Sequence, residues 1–411
     1  MALTSRQRVL AAINHQEPDR VPIDLSGHRA SGMAAIAYNH LKKHLGITSG
    51  SIYVYDMVQQ LAIIEPEVMD YLGVDTIELG RGFALDPAYW QDWELPDGTP
   101  CKIPGFIRPV KVGRDWYIYH ADGTPIAVQR EGCYYFEQIC FPLADRDGDE
   151  FDDLNTDMDK VMWVAMGAPP APLGYDQAGL KALHDGAQHL RLSSDRAIVG
   201  LFGANMLEMG QFLFGIQNFL TLLASEPRRV HLFLDKLLEV YLGKLEAFTS
   251  AVGTYIDVIH YNDDFGMQTG PQISLKMYLE FFHPLYKQLW ERSKQLTDAK
   301  IMLHSCGGIY PLLPYLIEAG MEIFQPVQTT SRGMEAERLK QEFGKDLCFW
   351  GGGCDTQGVL DRGTPVEVSE DVRRRVAIFS PGGGFVFQQI HNIQADVPPE
   401  NILAMFAAVN A

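Results

Sequence analysis

Residues 300–308 read Lys-Ile-Met-Leu-His-Ser-Cys-Gly-Gly, an apolar run that ends in a histidine, a cysteine and two glycines. The hydrophobicity of this run is continuous rather than alternating, which is typical of a strand that is covered on both faces of a parallel sheet. Similar short runs recur along the chain, and each ends near Gly, Asn, Cys or Gln. We predict eight such strands, at residues 21–26, 75–80, 197–203, 256–262, 300–306, 322–327, 347–352 and 384–389.

Helical patterns separate most of these strands. The chain opens on a helix, because Thr4 and Gln7 have the spacing of a capping box. Eight strands that alternate with helices predict an α/β fold of the closed (β/α)8 type, a TIM barrel, as a single domain over residues 1–411. An open doubly wound sheet is the alternative, although the chain lacks the G-x-G-x-x-G turn of many such sheets. Apolar residues recur at helical spacing in residues 229–250, 274–296 and 312–319.

A long stretch separates the second predicted strand from the third. It contains two Asp-Gly-Thr-Pro turns, at residues 97–100 and 122–125. Residues 116–119 and 126–129 beside the second turn have the composition of a β-hairpin. We predict a β-rich insertion after strand 2, at about residues 85–160. We interpret it as a lid over the barrel mouth or as the contact of a homodimer.

The composition excludes several classes of partner. The net charge of −18 would repel a phosphate backbone, so we expect no binding of nucleic acid. No apolar run is long enough to span a membrane, and the first residues lack the apolar core of a signal peptide. We therefore expect a cytoplasmic protein whose six cysteines are reduced. Four of them, Cys101, Cys133, Cys140 and Cys348, fit small buried residues.

The other two cysteines lie at strand ends, together with a histidine. His304 and Cys306 are two residues apart on the fifth predicted strand, so their side chains point to the same face. Cys354 follows the seventh strand, at the same rim of the barrel. One imidazole and two thiolates with an open fourth place are typical of catalytic zinc. We predict that these three residues bind zinc, and the alternative is a core histidine with two buried thiols.

Further polar residues lie at other strand ends. Glu208, Asp263 and Asp264 are candidate catalytic carboxylates, which could orient donors, supply a general base or fill the fourth place on the metal. The alternative for the Asp-Asp pair is a cap for the helix that follows it. The uncharged groups at the rim suit a polar organic substrate. The predicted substrate-binding residues are Asn262, Gln268, Gln325, Gln328, Gln388 and His391.

With these residues in hand, the sequence resembles the uroporphyrinogen decarboxylase superfamily, and within it the zinc-dependent corrinoid methyltransferase branch. The resemblance covers nearly the whole chain. It rests on the opening at residues 3–22, on Asn-Asp-Asp at 262–264 with Gln268, and on Leu-His-Ser-Cys-Gly at 303–307. It rests also on Trp-Gly-Gly-Gly-Cys-Asp-Thr-Gln at 350–357 and on the tail at 391–401.

The resemblance implies a TIM barrel, a pocket at the carboxyl ends of its strands, and transfer of a methyl group to or from a corrinoid. His304, Cys306 and Cys354 match the zinc ligands of the branch, and Glu208 becomes the first choice for a fourth ligand. The chain has no D-x-H-x-x-G signature of a cobalamin module, so a separate protein would carry the corrinoid. Zinc would assist most where the leaving group is an alkoxide, which favours O-demethylation of a small O-methyl compound.

A uroporphyrinogen decarboxylase activity is the alternative function. The decarboxylases carry an arginine-rich loop after the first strand, whereas residues 25–32 here contain Arg29 as their only arginine. A substrate with eight carboxylates would also meet a strongly acidic protein. Asp56 aligns loosely with the acidic residue of the decarboxylases. A third hypothesis, a non-catalytic binding barrel, leaves the clustered His, Cys, Asp and Glu residues without a purpose.

Overall fold

A parallel sheet forms the centre of the computed structural model, which describes residues 2–83, 86–166, 175–409 and 411. Within these residues the sheet has seven strands in the order β17-β16-β15-β14-β11-β10-β3, and all neighbouring pairs are parallel. In chain order the strands are β1 (Val54–Asp56), β2 (Leu61–Ala62), β3 (Thr76–Glu78), β4 (Trp90–Glu94), β5 (Pro100–Pro104), β6 (Val110–Val112), β7 (Asp115–Tyr119), β8 (Pro125–Gln129), β9 (Glu137–Gln138), β10 (Ala197–Gly203), β11 (Val258–Asn262), β12 (Gly266–Met267), β13 (Gly270–Pro271), β14 (Lys300–His304), β15 (Ile323–Gln325), β16 (Cys348–Trp350) and β17 (Phe385–Val386).

The segment 22–24 joins the two edges of this sheet. The backbone N–H of Asp24 donates to the carbonyl of Phe387 at 2.8 Å, and the N–H of Phe387 donates to the carbonyl of Pro22 at 2.8 Å. On the other side, the N–H of Asp75 donates to the carbonyl of Ile23 at 2.8 Å. The sheet is thus closed, which confirms the barrel and excludes the open sheet. The predicted first strand is reduced to a single bridge because Pro22 has no N–H to extend the ladder.

The helices pack outside the barrel, except that the first one closes its lower end. The predicted helices at 229–250 and 312–319 are confirmed, but the one at 274–296 is interrupted by a π-helical turn at Tyr278–Phe282. Pro284 lies just beyond this turn and cannot donate to the carbonyl four residues earlier. Among the described residues, no helix has both the length and the apolarity needed to cross a membrane. The helices are α1 (Ser5–Ile13), α2 (Ala35–His44), α3 (Pro66–Tyr71), α4 (Leu154–Met158), α5 (Met162–Met166), α6 (Gln177–Ser193), α7 (Leu207–Phe214), α8 (Ile216–Ser225), α9 (Pro227–Val252), α10 (Leu275–Met277), α11 (His283–Leu296), α12 (Leu313–Ala319), α13 (Ala336–Phe343), α14 (Pro365–Phe379) and α15 (Pro399–Val409).

Residues at alternate positions of the barrel strands point into the interior. The lower layers are apolar, and Val9, Ala12 and Ile13 of α1 pack into the same cluster. Successive residues of a strand face opposite sides, so the residue two positions further along each strand faces inward one layer higher. These upper inward positions carry polar side chains, which places a polar pocket at the carboxyl end of the barrel. Val258, Met302, Ile323 and Val386 of the apolar layer are followed two positions later by His260, His304, Gln325 and Gln388.

A buried network of charges ties α1 to the first part of the barrel. Asp75 is fully buried and accepts hydrogen bonds from Arg8 Nη1 at 2.6 Å and from Arg20 Nη1 at 2.7 Å. Its second oxygen also accepts the backbone N–H of Ile23 at 2.9 Å. Arg8 additionally pairs with Asp19 at 2.7 Å. Asp75 and Asp19 together therefore balance the charges of the two arginines, and Asp75 also positions the segment that closes the sheet.

We expect Asp75→Asn to lower the free energy of unfolding by about 3 kcal/mol, because loss of one partner leaves buried charge uncompensated. Urea titration followed by circular dichroism measures this change. The control is Asp92→Asn, which removes the partner of Lys102 from an exposed ion pair and should leave stability nearly unchanged. Equal stability of the two variants would contradict a structural role for the Asp75 network.

The insertion after the second barrel position is β-rich, as predicted. Strands β4 and β5 form a hairpin, and β6 to β9 form a four-stranded antiparallel sheet. Its strands end at residue 138, and α4 with turns fills the described chain up to residue 160. The insertion contacts the turn between β1 and β2, where the N–H of Phe136 donates to the carbonyl of Val58 at 3.1 Å, and helix α7, where the N–H of Leu143 donates to that of Leu213 at 2.8 Å. The hydroxyl of Tyr135 also donates to Gln394, in the loop after β17. The insertion therefore lies beside the barrel mouth.

The cysteines outside the mouth are free thiols in different environments. Cys101 and Cys348 are buried, as expected. Cys133 is exposed and Cys140 is partly exposed, so the expectation of burial is wrong for Cys133. Cys133 follows the Glu-Gly turn after β8, in a run of exposed residues at 130–135.

Candidate metal centre

His304, Cys306 and His391 converge at the mouth of the barrel. The Sγ of Cys306 lies 3.5 Å from Nε2 of His304. One potential ligand atom from each of the three residues lies within 4.8 Å of the others. His304 ends β14, and His391 follows β17, so two barrel strands deliver the imidazoles. Two imidazoles and a thiol this close together could hold a metal ion of tetrahedral preference.

The loop after β14 positions Cys306, rather than the strand itself. The strand ends at His304, and the N–H of Cys306 donates to Oδ1 of Asp264 at 2.7 Å. Gly307 follows with a φ of +81°, and a Cβ there would lie 2.4 Å from the carbonyl carbon of Gly266. Only glycine fits this close backbone contact. The predicted convergence of His304 and Cys306 is confirmed, but the strand alternation that we used to derive it is wrong.

A chain of amides fixes the tautomer of His304. The side-chain nitrogen of Gln388 donates to the backbone carbonyl of Ala30 at 3.2 Å, which can only accept. The oxygen of Gln388 therefore accepts from Nε2 of Gln325 at 3.1 Å. The remaining oxygen of Gln325 faces Nδ1 of His304 at 2.5 Å, so Nδ1 carries the proton. The Nε2 lone pair of His304 is thus left to face Cys306.

A second set of amides fixes His391 in the same way. The nitrogen of Gln394 donates to the backbone carbonyl of Asn392 at 3.2 Å and to its Oδ1 at 2.8 Å. The Nδ2 of Asn392 donates to Oε1 of Gln59 at 2.7 Å. Oδ1 of Asn392 is consequently an acceptor, and Nδ1 of His391 at 2.8 Å donates to it. Nε2 of His391 is left unprotonated.

Asp263 caps a helix from the neighbouring strand. Its carboxylate accepts the backbone N–H groups of Met206, Leu207 and Glu208 at 2.8–3.0 Å, at the start of α7. It also accepts the hydroxyl of Tyr286 at 2.6 Å. Burial raises the pKa of Asp263 to about 6, and these four donors act against that rise. The predicted catalytic residue thus has a structural role, although the helix that it caps precedes it in the chain.

Glu208 and Asp264 lie nearer to the thiol. Oδ1 of Asp264 is 3.4 Å from Nε2 of His304. Glu208 accepts a hydrogen bond from Nδ2 of Asn205 at 2.6 Å. The pKa of Glu208 is raised well above its usual value, mainly by burial and then by the negative charge of Asp264. The pKa of the Cys306 thiol is also raised, mainly by burial and then by the negative charges of Asp264 and Glu208. The centre is therefore rich in groups that favour their neutral forms until a cation is present.

Cys354 does not join the cluster of His304, Cys306 and His391. Its thiol is buried, packs within the main hydrophobic cluster and lies 3.9 Å from the backbone carbonyl of Asp355. Burial, followed by the charge of Asp371, raises the pKa of this thiol above its usual range. A role for Cys354 as a metal ligand remains a prediction.

The predicted substrate amides divide into two groups. Gln325 and Gln388 form the chain of hydrogen bonds that fixes the ring of His304. Gln328 fixes the loop after β14, because its Oε1 accepts the N–H of Gly307 at 2.8 Å. Asn262 ends β11, and within the described part of the chain its buried Oδ1 has no hydrogen-bond partner. Gln268 is exposed and lies 3.4 Å from Gln357. Asn262 is the amide best placed to receive a donor from a bound molecule.

The sequence did not single out the histidines beneath the metal site. The rings of His28 and His260 lie 4.7 Å apart, and that of His260 lies 6.1 Å from His304. Nε2 of His28 is 3.2 Å from Oδ2 of Asp24. His260 could have been found, because it lies two residues before Asn262 on a predicted strand and so shares its inward face. His28 lies in a loop, and its spacing carries no such signal.

Known proteins resemble this chain in sequence and in fold. A family model described as "Uroporphyrinogen decarboxylase (URO-D)" matches residues 189–411. The uroporphyrinogen decarboxylase of Legionella pneumophila (strain Paris) is 25% identical over 198 residues, 47% of this chain and 51% of that protein. The methylated-thiol–coenzyme M methyltransferase of Methanosarcina mazei is 27% identical over 161 residues, 39% of either chain. The chain thus matches about half the length of the first of these relatives.

A solved structure extends the likeness to the complete barrel. A methyltransferase from Methanosarcina mazei superposes with a TM-score of 0.57 at 16% identity, over 99% of this chain and 98% of that chain. At this identity the superposition establishes the fold alone. The matched family region includes the metal-site loop and covers more than half of the sequence. The chain therefore belongs to the uroporphyrinogen decarboxylase (URO-D) family.

Proposed function

We propose that this protein is a zinc-dependent methyltransferase that moves a methyl group between a small O-methyl compound and a separate corrinoid protein. The observation that carries the proposal is the 3.5 Å approach of Cys306 Sγ to the unprotonated Nε2 of His304. Imidazole nitrogen and thiolate sulfur are preferred ligands of zinc. The similarity to a methyltransferase supports the reaction class.

His304 and Cys306 would hold the zinc, with Cys354 as the third ligand that the family resemblance implies and Glu208 as a fourth. When bound, zinc would supply a Lewis acid for the oxygen that leaves the methyl group. Such help matters most for an alkoxide, which is a poor leaving group. The uncharged amides around the mouth suit a neutral oxygenated substrate. The corrinoid would be supplied by the partner protein.

The protein's own residues would orient the substrate and exclude water. Asn262 would bind a donor group of the substrate through its buried Oδ1. Gln268 and Gln328 lie on the loops beside the metal site and would contact the exposed part of the substrate. Glu208, held by Asn205, would provide a proton to the departing oxygen if it is not a ligand.

A decarboxylase that acts on a tetrapyrrole is less well supported. Arg29 Nε lies 3.3 Å from Oδ2 of Asp56, and their side chains are 15% and 0% exposed. The arginine that would grip a porphyrinogen carboxylate is therefore already paired with an acid. Titration with coproporphyrin separates the two functions, because micromolar binding would favour the decarboxylase.

We expect the purified wild type to bind one zinc ion per chain and to methylate a reduced corrinoid from an aryl methyl ether. The zinc content of Cys354→Ala tests whether this thiol is the third ligand, because loss of a thiolate ligand would reduce it. Metal analysis by plasma mass spectrometry measures the content, and absorbance of methyl-corrinoid measures the transfer. Methanol, a methylated thiol and a methylated amine complete the panel of donors.

The control for this experiment is Cys348→Ala, which removes another buried thiol. Zinc content should be unchanged in that variant. Normal zinc in Cys354→Ala would remove Cys354 from the ligand set. A wild type that binds no zinc when it is supplied would overturn the metal proposal itself.

A further inference from the structure

We infer that His391 is a direct ligand of the metal, which gives the centre two imidazole nitrogens and the sulfur of Cys306. The inference rests on the proposed metal site and deepens it. The sequence suggested only a substrate-binding role for His391, and the matched motif of the family points to Cys354 instead. The three-residue cluster of His304, Cys306 and His391, with donor atoms within 4.8 Å of one another, points to the imidazole.

The ring of His391 is held by a hydrogen bond of the kind that metal-binding histidines make. Histidines that bind metals almost always donate their other ring N–H to an oxygen acceptor, which fixes the ring and its tautomer. Nδ1 of His391 donates to Oδ1 of Asn392 at 2.8 Å. The backbone carbonyl of Asn392 accepts from the side-chain nitrogen of Gln394, and the same nitrogen donates to Oδ1 of Asn392. Oδ1 is therefore an acceptor, so Nδ1 of His391 carries the proton and Nε2 is unprotonated.

The two histidines are held by equivalent hydrogen bonds. His304 is held by Gln325 and His391 by Asn392, in both cases through Nδ1 and through an amide whose orientation is determined by a backbone carbonyl. Their rings lie 6.0 Å apart, centroid to centroid. Both imidazoles therefore keep an unprotonated Nε2.

The ligand set has a chemical consequence. Without a fourth ligand, a zinc ion with one imidazole and two thiolates carries no net charge, whereas zinc with two neutral imidazoles and one thiolate keeps a charge of +1. The more positive centre is the stronger Lewis acid and the weaker activator of a bound thiolate nucleophile. The inferred set thus favours a substrate whose oxygen must be polarised, and an O-methyl compound belongs to this class.

X-ray absorption at the zinc edge tests the inference, because zinc–sulfur distances of about 2.3 Å and zinc–nitrogen distances of about 2.0–2.1 Å are resolved. We expect two imidazoles in the wild type and one in His391→Ala. Zinc affinity in that variant should fall by about 100-fold, since loss of a supporting residue alone costs roughly 10–100-fold. The sulfur count should be the same in Cys354→Ala as in the wild type.

The control is His231→Ala, a half-exposed histidine on the outside of the barrel, which should keep both imidazoles. His391→Gln, which retains most of the side-chain volume, guards against loss of folding, and circular dichroism verifies each variant. An unchanged imidazole count in folded His391→Ala or His391→Gln would overturn the inference. Two imidazoles without methyl transfer from any donor would instead overturn the proposed function while the ligand assignment stands.

Discussion

Replacing Cys306 by alanine should abolish zinc binding and lower the rate of methyl transfer by at least about 1,000-fold. The thiol lies 3.5 Å from Nε2 of His304, and both proposed ligand sets depend on it. Lewis-acid stabilisation of the leaving oxygen contributes several kcal/mol, and each 1.36 kcal/mol corresponds to about tenfold in rate. Metal analysis and single-turnover formation of methyl-corrinoid measure the two losses.

The matched control for this substitution is Cys133→Ala, because Cys133 is an exposed free thiol outside the mouth. It should retain full zinc and full activity. The fold of Cys306→Ala should also persist, since the backbone N–H of Cys306 still donates to Asp264. A Cys306→Ala protein with one zinc per chain would show that the metal binds elsewhere.

Asp263→Ala should lower the free energy of unfolding by about 4 kcal/mol. The substitution leaves three backbone N–H groups at the start of α7 and the hydroxyl of Tyr286 without their acceptor. Hydrogen bonds to a charged group contribute about 1.5–3 kcal/mol each, and buried donors without partners are costly. Urea titration followed by tryptophan fluorescence measures the loss.

Two milder variants calibrate this result. Asp263→Asn keeps one acceptor oxygen and should lose about half as much stability. Tyr286→Phe removes a single hydrogen bond to the carboxylate and should lower the free energy of unfolding by about 1.5 kcal/mol. If Asp263→Ala were as stable as the wild type and lost only activity, its main role would be catalytic, as the sequence suggested, and not that of a helix cap.

The barrel could be predicted because its signals are local. Each buried strand is a short continuous apolar run, and two hairpins of the insertion, β4–β5 and β7–β8, contain an Asp-Gly-Thr-Pro turn. These patterns gave the strand order and the position of the insertion. Only the strand ends differ, since Pro22 and the loops after β14 and β17 interrupt the ladders earlier than hydrophobicity suggests.

The site could be predicted in part. His304 and Cys306 are two residues apart, so any turn at the strand end keeps them close, and the structure brings them together. Asp263 was expected near the metal, but its oxygens are taken by the start of a helix that lies more than fifty residues earlier. The spacing of residues in the sequence does not show which distant backbone N–H groups a carboxylate will accept hydrogen bonds from.

The sequence by itself determined the class of fold, the mouth of the barrel as the place of the site, and the pair His304 and Cys306. These follow from patterns within a few residues, where covalent geometry limits the outcomes. Only the tertiary structure decided that His391 and not Cys354 lies against this pair. The direction of each side chain there depends on amides from three different strand ends, and such contacts exist only once the barrel has closed.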